Sequence, residues 1–368
     1  MKKLLILLLC LAPVLAGLPR LSAQRREAEH LRLAETMGLD PSPEGLKLSL
    51  AAPGGDGEEA LLVSAPGASL NLAMEALRQR ADGEQLFCGH LRHILLGEAF
   101  ARQGLERLLS AVCRSPDLRL DMPVYLILGG GAEETMAALN LGGDGVSAAL
   151  DSLDRDRSAG LSSAGRILRD LDRQGSALVR ALRTEKSGEG EEETSSLVPA
   201  GYGILIDGRL RALLEPEDAA AAELLAGELR PALLSLRDGQ GRRVTLELQE
   251  GRTNLQPVWG EDGSLTGLEI TVEARAAVLE IEGFQQAADP RTLNVITGRL
   301  EAELTGRISR VLRLSAELQA DFLSLGPRLE LLAPLRGRGL GRDLGGLLPG
   351  LSLRVTVQGE LRHSSDLN

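Results

Sequence analysis

A chain of 368 residues, 43% hydrophobic and 25% charged, can bury two or three small cores and is too apolar to be disordered. Aromatic residues make up only 2%, so Leu, Ala, Val and Ile must fill those cores, and the stacking platforms that single-stranded nucleic acid needs are scarce. The net charge of -11 argues further against nucleic acid, and against plain electrostatic adhesion of the whole body to an anionic membrane.

Residues 1–23 read as a targeting segment. Lys2-Lys3 precedes the apolar run LLILLLCLAPVL, too short to span a bilayer stably, and small residues follow at Ala16-Gly17 and Ser22-Ala23. VLA ending at Ala16 and LSA ending at Ala23 both fit a processing site. No later stretch approaches eighteen apolar residues, so the remainder is expected outside the cytoplasmic membrane. Cys10 lies inside the segment behind Leu7-Leu8-Leu9, whereas a lipid-carrying cysteine needs small side chains beside the cleaved bond; Cys10 is a poor lipid anchor.

After a charged run, LRLAETMGLD reads as a strand ending at Asp40, and LKLSLAAP and LLVSAPG as two more strands. SLNLAMEALRQRA is helical, with Ser69 as its N-cap. His90 to Leu96 is an apolar run of strand length. EAFARQGLERLLSAVC then spaces Phe100, Leu105, Leu108, Leu109 and Val112 as a helix, stopped by Ser115-Pro116. MPVYLIL, Met122 to Leu128, is a second strand closed by Gly129-Gly130-Gly131. Strand, helix and strand in this compass predict a β-α-β unit. A helix opened by Glu133-Glu134 follows, and residues 147–184 read as helical and charged.

SGEGEEETSS has no apolar residue and predicts a solvated linker over 187–197, between an N-terminal α/β domain (24–186) and a middle α+β domain (198–266). Its carboxylates lack the fixed spacing of a calcium loop. The middle domain opens with YGILIDGRLRALL, a hairpin around Asp207-Gly208, then a helix from Pro216 and further strands in VTLELQEGRTNLQPVW. A third domain, 267–368, starts with LEITVEARAAVLEIEG as a long strand pair. A helix over 294–323 carries Ile296, Leu300, Leu304 and Ile308 on one side, ended by Gly326-Pro327. A glycine-rich loop and the strand LSLRVTVQGEL close the chain. The expected fold is mixed α+β and α/β: three small domains, each a β-sheet with flanking helices.

Candidate chemistry is sparse. Cys88 precedes the first strand of the β-α-β unit and Cys113 ends its helix. A helix running back antiparallel to its strand would bring the two together, and a disulfide there is worth about 3 kcal/mol. Two buried thiols without a bond are the other reading, and both stay open. His90 and His93 form an HxxH that points to opposite faces if it is a strand, and no Glu completes HExxH. His30 and His363 stand alone near the termini. Gly129-Gly130-Gly131 sits where a phosphate loop would, but neither GK[ST] nor GxGxxG follows. The run Arg336-Gly337-Arg338-Gly339-Leu340-Gly341-Arg342 reads as a mobile solvated loop, or one that touches anionic headgroups or a partner protein. No serine lies in GxSxG, and the pairs Glu133-Glu134 and Asp154-Asp156 suit solvated helix faces. No catalytic, cofactor-binding or metal-binding set emerges, and an enzyme is not expected.

Several of these stretches together resemble the Ger(x)C, or GerAC, family, the lipoprotein C subunits of nutrient germinant receptors in endospore-forming bacteria. Glu27 to Asp40, ending MGLD, is similar to the family's opening strand. Residues 67–134 carry Gly89-His90, GExxAxxG at Gly97 to Gly104, and Arg114-Ser115-Pro116 in the family's order. Gly201-Tyr202-Gly203 with IDGRLRALLEPEDAAAAELLAG resembles the start of its second domain, and ELQADFLSLG, with Asp321 and Gly326, the end of its long helix. The resemblance covers most of the mature chain. It implies three domains and no catalytic site. It also implies a place on the outer face of the spore's inner membrane beside a transporter-like B subunit and a membrane-bound A subunit. Two departures stand out: Ser22 occupies the position of the family's lipid-carrying cysteine, and the Gly/Arg run replaces aromatic residues before the last strand. An envelope solute-binding protein, holding a small ligand between domains, is the alternative from another class.

Overall fold

The computed structural model describes residues 31–54, 60–80, 85–115, 118–140, 145–154, 160–187, 194–283 and 290–363. The targeting segment with Cys10 and Ser22, together with His30, most of the acidic tract and Asp156, lies outside the described residues.

In chain order, the N-terminal region runs β1 (Leu31–Leu33), β2 (Thr36–Ser42), β3 (Gly45–Ala52), β4 (Leu61–Gly67), α1 (Leu70–Arg80), β5 (Gln85–Phe87), β6 (His93–Gly97), α2 (Glu98–Gln103), α3 (Glu106–Val112), β7 (Val124–Leu128), α4 (Ala132–Asn140), α5 (Gly145–Asp154), α6 (Ala164–Gln174) and β8 (Ser176–Ser187). It continues through β9 (Thr194–Ile206), β10 (Arg209–Leu214), α7 (Ala219–Ala226), β11 (Ala232–Arg237), β12 (Arg243–Trp259), β13 (Leu265–Ile281), α8 (Pro290–Glu317), α9 (Leu325–Leu332), α10 (Leu340–Leu347) and β14 (Ser352–His363).

An eight-stranded sheet has the order β10-β9-β8-β7-β6-β2-β3-β4, and a four-stranded sheet the order β11-β12-β13-β14; β1 and β5 pair by themselves. The β-α-β unit is present: β6 and β7 are parallel neighbours, aligned Ile94 to Val124 and Leu96 to Leu126. Parallel strands β2, β6, β7 and β8 form the middle of the large sheet, and antiparallel hairpins flank them. Alternation along β7 sends Val124, Leu126 and Leu128 to one face and Tyr125 and Ile127 to the other. The first face packs α1, α2, α3 and α6 through Leu77, Phe100, Leu108 and Ile167; the second packs α4 and α5 through Met136 and Leu150. The result is a mixed α+β fold of several sheets with flanking helices.

Several local expectations change. Residues 176–187 are strand rather than helix. Gly175, at φ +72°, ends α6, and Ala177, Leu178, Val179, Ala181 and Leu182 are then buried on both faces of the sheet. Ser187 and Thr194, the described residues at the ends of the acidic tract, align, and β8 and β9 pair antiparallel on either side of it. A single hydrophobic cluster runs from Leu178, Tyr202 and Ile204 through α7 to the small sheet and α8.

The helix after Gly97 is two helices, α2 and α3, broken at Gly104 with φ +129°. There Leu105 N–H donates to Gly208 O across 2.8 Å, docking the break against the Asp207-Gly208 hairpin turn. β13 is one long strand rather than a pair, and α8 stops at Glu317, so Gly326-Pro327 opens α9 instead of ending α8. The glycine-arginine run is an ordered corner between α9 and α10. No disulfide joins Cys88 and Cys113. The buried Cys88 thiol contacts Met74 Sδ at 3.6 Å, whereas Cys113 is exposed.

Candidate functional site

The densest set of motif residues surrounds the Gly129–Gly131 turn. Asp40, at 8% exposure near the end of β2, accepts hydrogen bonds from Ala132 N–H and Glu133 N–H, each at 2.8 Å. Those are the leading amides of α4, donors with no partner inside the helix, and they carry the positive end of its dipole. A Cβ on Gly97 would fall 2.1 Å from Asp40 Oδ1, so only glycine leaves room for this carboxylate. The neighbouring Glu98 holds the other side of the turn: its Oε2 accepts Gly129 N–H at 2.9 Å, and its Oε1 pairs with Arg102. The Gly129 amide, then Arg102, keeps the Glu98 carboxyl below the usual carboxylate range. The place a phosphate would occupy is therefore filled by one carboxylate and edged by a second.

A second polar cluster joins the large sheet's helices to the C-terminal half. Arg166 of α6 binds Asp170 at 2.6 Å, pairs with Glu228, and reaches Ser324 Oγ at 3.4 Å. Gln174 Nε2 donates to the same Ser324 oxygen at 3.0 Å. Asp321 lies beneath, 1% exposed, accepting Leu325 N–H at 3.0 Å and Gly326 N–H at 2.6 Å. Burial pushes its carboxyl up to about 7; the two amides pull the other way, and Asp170 adds to the rise. Arg328 donates to the carbonyls of Leu225 and Thr253, fixing α9 against α7 and β12.

A third cluster explains Gly201-Tyr202-Gly203. Tyr202 O–H donates to Glu223 Oε1 at 2.7 Å, and Arg230 bridges both groups. Gly201 has φ +82°, and a Cβ there would lie 2.0 Å from Leu214 O. In each cluster most polar groups are turned toward partners inside the protein; Gln174 Oε1 is buried with no hydrogen-bond partner among the described residues.

The remaining candidates do not assemble. His93 is buried, with Nε2 3.3 Å from Asp151 Oδ1, whereas His90 is exposed beside the Phe87 ring. Among the described residues no group of three His, Cys, Asp or Glu could hold a metal ion. Glu133 pairs with Lys47. A groove of about 580 Å³ opens between α1 and α3, lined in part by Ser69, Asn71, Arg107 and Arg114. It lies within the N-terminal half, not between lobes as a solute-binding protein would have it. The roles of Asp40, Gly97 and Glu98 in one turn escape a reading of the residues alone, because the cap joins positions 92 residues apart.

Comparison with known proteins bears on this arrangement. Residues 24–178 match the family described as the spore germination protein N-terminal domain. The crystal structure of the GerBC protein aligns with a TM-score of 0.57 and 16% identity, over 88% of this chain and 96% of that one. A structure of Era with MgGDPNP and a 16S ribosomal RNA segment aligns at a TM-score of 0.14 and 12% identity, too low to indicate a shared fold. No curated protein matches by sequence. The matched span contains Asp40, Gly97, Glu98 and the glycine turn, and residues 24–178 carry the N-terminal domain of the spore germination family.

Proposed function

We propose that the protein is the non-enzymatic C subunit of a nutrient germinant receptor. It would stand on the outer face of the spore's inner membrane and work beside the membrane-embedded A and B subunits. The observation that carries this reading is the germination-family match over 24–178, in which the motif residues lie together around one turn. The GerBC-like fold over most of the chain supports it. So does the use of the buried carboxylates: Asp40, Glu223 and Asp321 cap helices or bind arginine and tyrosine, roles that stabilise a scaffold. Among the described residues no helix is long and apolar enough to cross a membrane. Attachment then falls to the N-terminal segment, to partner subunits, or to a surface of the body.

The test is dipicolinate release from spores lacking this gene, with a germinant that bypasses nutrient receptors as control. Loss of the response to one nutrient class, with the control intact, is the expected result. Failure of the control as well would place the protein downstream or in spore assembly, and would contradict the receptor reading.

A further inference from the structure

The corner between α9 and α10 projects apolar side chains that no part of the described protein covers. Leu331 is 79% exposed, Leu332 56% and Leu335 96%, and Pro334, Arg336 and Arg338 are exposed with them. This is not a failed core. Leu325 and Leu329 of α9 and Leu340 and Leu344 of α10 are buried and anchor the hairpin, so the outward set is separate from the packing set.

The corner is also built rather than loose. Gly337 N–H donates to Ala333 O at 2.7 Å, Leu340 N–H to Gly337 O at 3.0 Å, and Gly339 N–H to Glu330 Oε1 at 2.9 Å. Gly339 has φ +93°, and a Cβ on Gly337 would fall 2.9 Å from Ala333 O, so both glycines are required by the backbone. Glu330 is thus engaged with the backbone of the corner itself. Residues 331–338, LLAPLRGR, contain no acidic side chain, and among the described residues Arg336 and Arg338 form no ion pair.

Two physical arguments select the occupant. The chain carries a net charge of -11, so its body is repelled by an anionic surface. Only a local cationic point can approach one, since charges beyond a Debye length of about 8 Å are screened. The tip is also small: three leucines offer far less than the roughly 800 Å² per partner of a standard protein interface. A narrow apolar point edged by arginines suits the headgroup boundary of a bilayer, where leucine enters and guanidinium meets phosphate.

We propose that the Leu331–Arg338 corner is a membrane-contact tip, its leucines entering a leaflet rich in anionic phospholipid while Arg336 and Arg338 bind lipid phosphates. The tip would orient the body on the membrane independently of the N-terminal segment. The proposal rests on the placement outside the membrane given above.

The test uses the full chain with Leu335→Trp in a Trp259→Phe background, so that the indole at the tip is the single fluorophore of its kind. Because Leu335 is exposed, the melting temperature should match that of the parent. On vesicles of equal parts phosphatidylglycerol and phosphatidylcholine, the expected result is a blue-shifted emission quenched by brominated acyl chains. Adding Arg336→Gln and Arg338→Gln should raise the lipid needed for the same shift by about tenfold or more. Unshifted, unquenched emission from chain that nevertheless floats with the vesicles would overturn the proposal. A shift seen only when the membrane subunits are present would overturn it too, in favour of a protein interface. A tip that inserts in a protein dispensable for germination would leave this inference standing and remove the receptor reading.

Discussion

Two aspartates perform the same local act in different settings. Asp40 accepts Ala132 N–H and Glu133 N–H; Asp321 accepts Leu325 N–H and Gly326 N–H. Each carboxylate thereby satisfies two orphan amides at a helix start. Asp40 does so across 92 residues, from a strand of the large sheet to α4, whereas Asp321 reaches four and five residues along its own turn. The long-range pair fixes how two elements meet. The short-range pair shapes one corner, where Ser324 takes φ +57° and binds Gln174 of α6. Burial separates them further, because Asp321 sits deep enough for its carboxyl to rise to about 7. A helix cap can therefore act as a weld between layers or as a local brace under electrostatic stress.

The comparison breaks most visibly at the weld. Asp40→Ala should destabilise by about 3 kcal/mol, since one buried and one half-buried amide lose a charged acceptor at roughly 1–3 kcal/mol each. Gly97→Ala should cost a similar amount by displacing the same carboxylate, and the double variant should cost little more than either alone. Urea unfolding of the three variants measures this; full additivity would show that Gly97 and Asp40 act separately.

Asp321 predicts a pH-dependent effect. Its carboxyl titrates at 3.8 when unfolded and at about 7 when folded, so the folded state holds the extra proton between those values. Stability from this group is complete below the unfolded value and is lost as pH rises through about 7. Asp321→Asn keeps an acceptor without the charge, and should flatten that slope while changing stability near pH 4 by less than about 1 kcal/mol. A slope unchanged in the variant would show that another group titrates.

Much of this architecture is readable from the chain, with instructive exceptions. The β-α-β unit, the Asp207-Gly208 hairpin and the apolar stripe of α8 follow from periodicity and turn residues, because those signals are local. β8 escapes because a strand buried on both faces has no alternation, and ALVRALR then resembles the helix before it; Gly175 is the one available stop signal. The antiparallel pairing of β8 with β9 escapes because an acidic polar tract carries no signal that the strands on either side of it meet. Ser69 is legible as a cap, since it binds the Leu72 amide three residues on at 3.3 Å. Asp40 is not, since nothing near it names α4 as its target.

The central claim is that Asp40 and Asp321 serve as helix caps that hold the scaffold together. Its most direct test is nutrient-triggered dipicolinate release from spores carrying Asp40→Asn or Asp321→Asn, with folded protein matched to wild type by limited proteolysis and immunoblot. Normal release at matched levels is the predicted result. Lost release from fully folded, normally abundant protein would contradict the account and give these carboxylates a direct part in signalling.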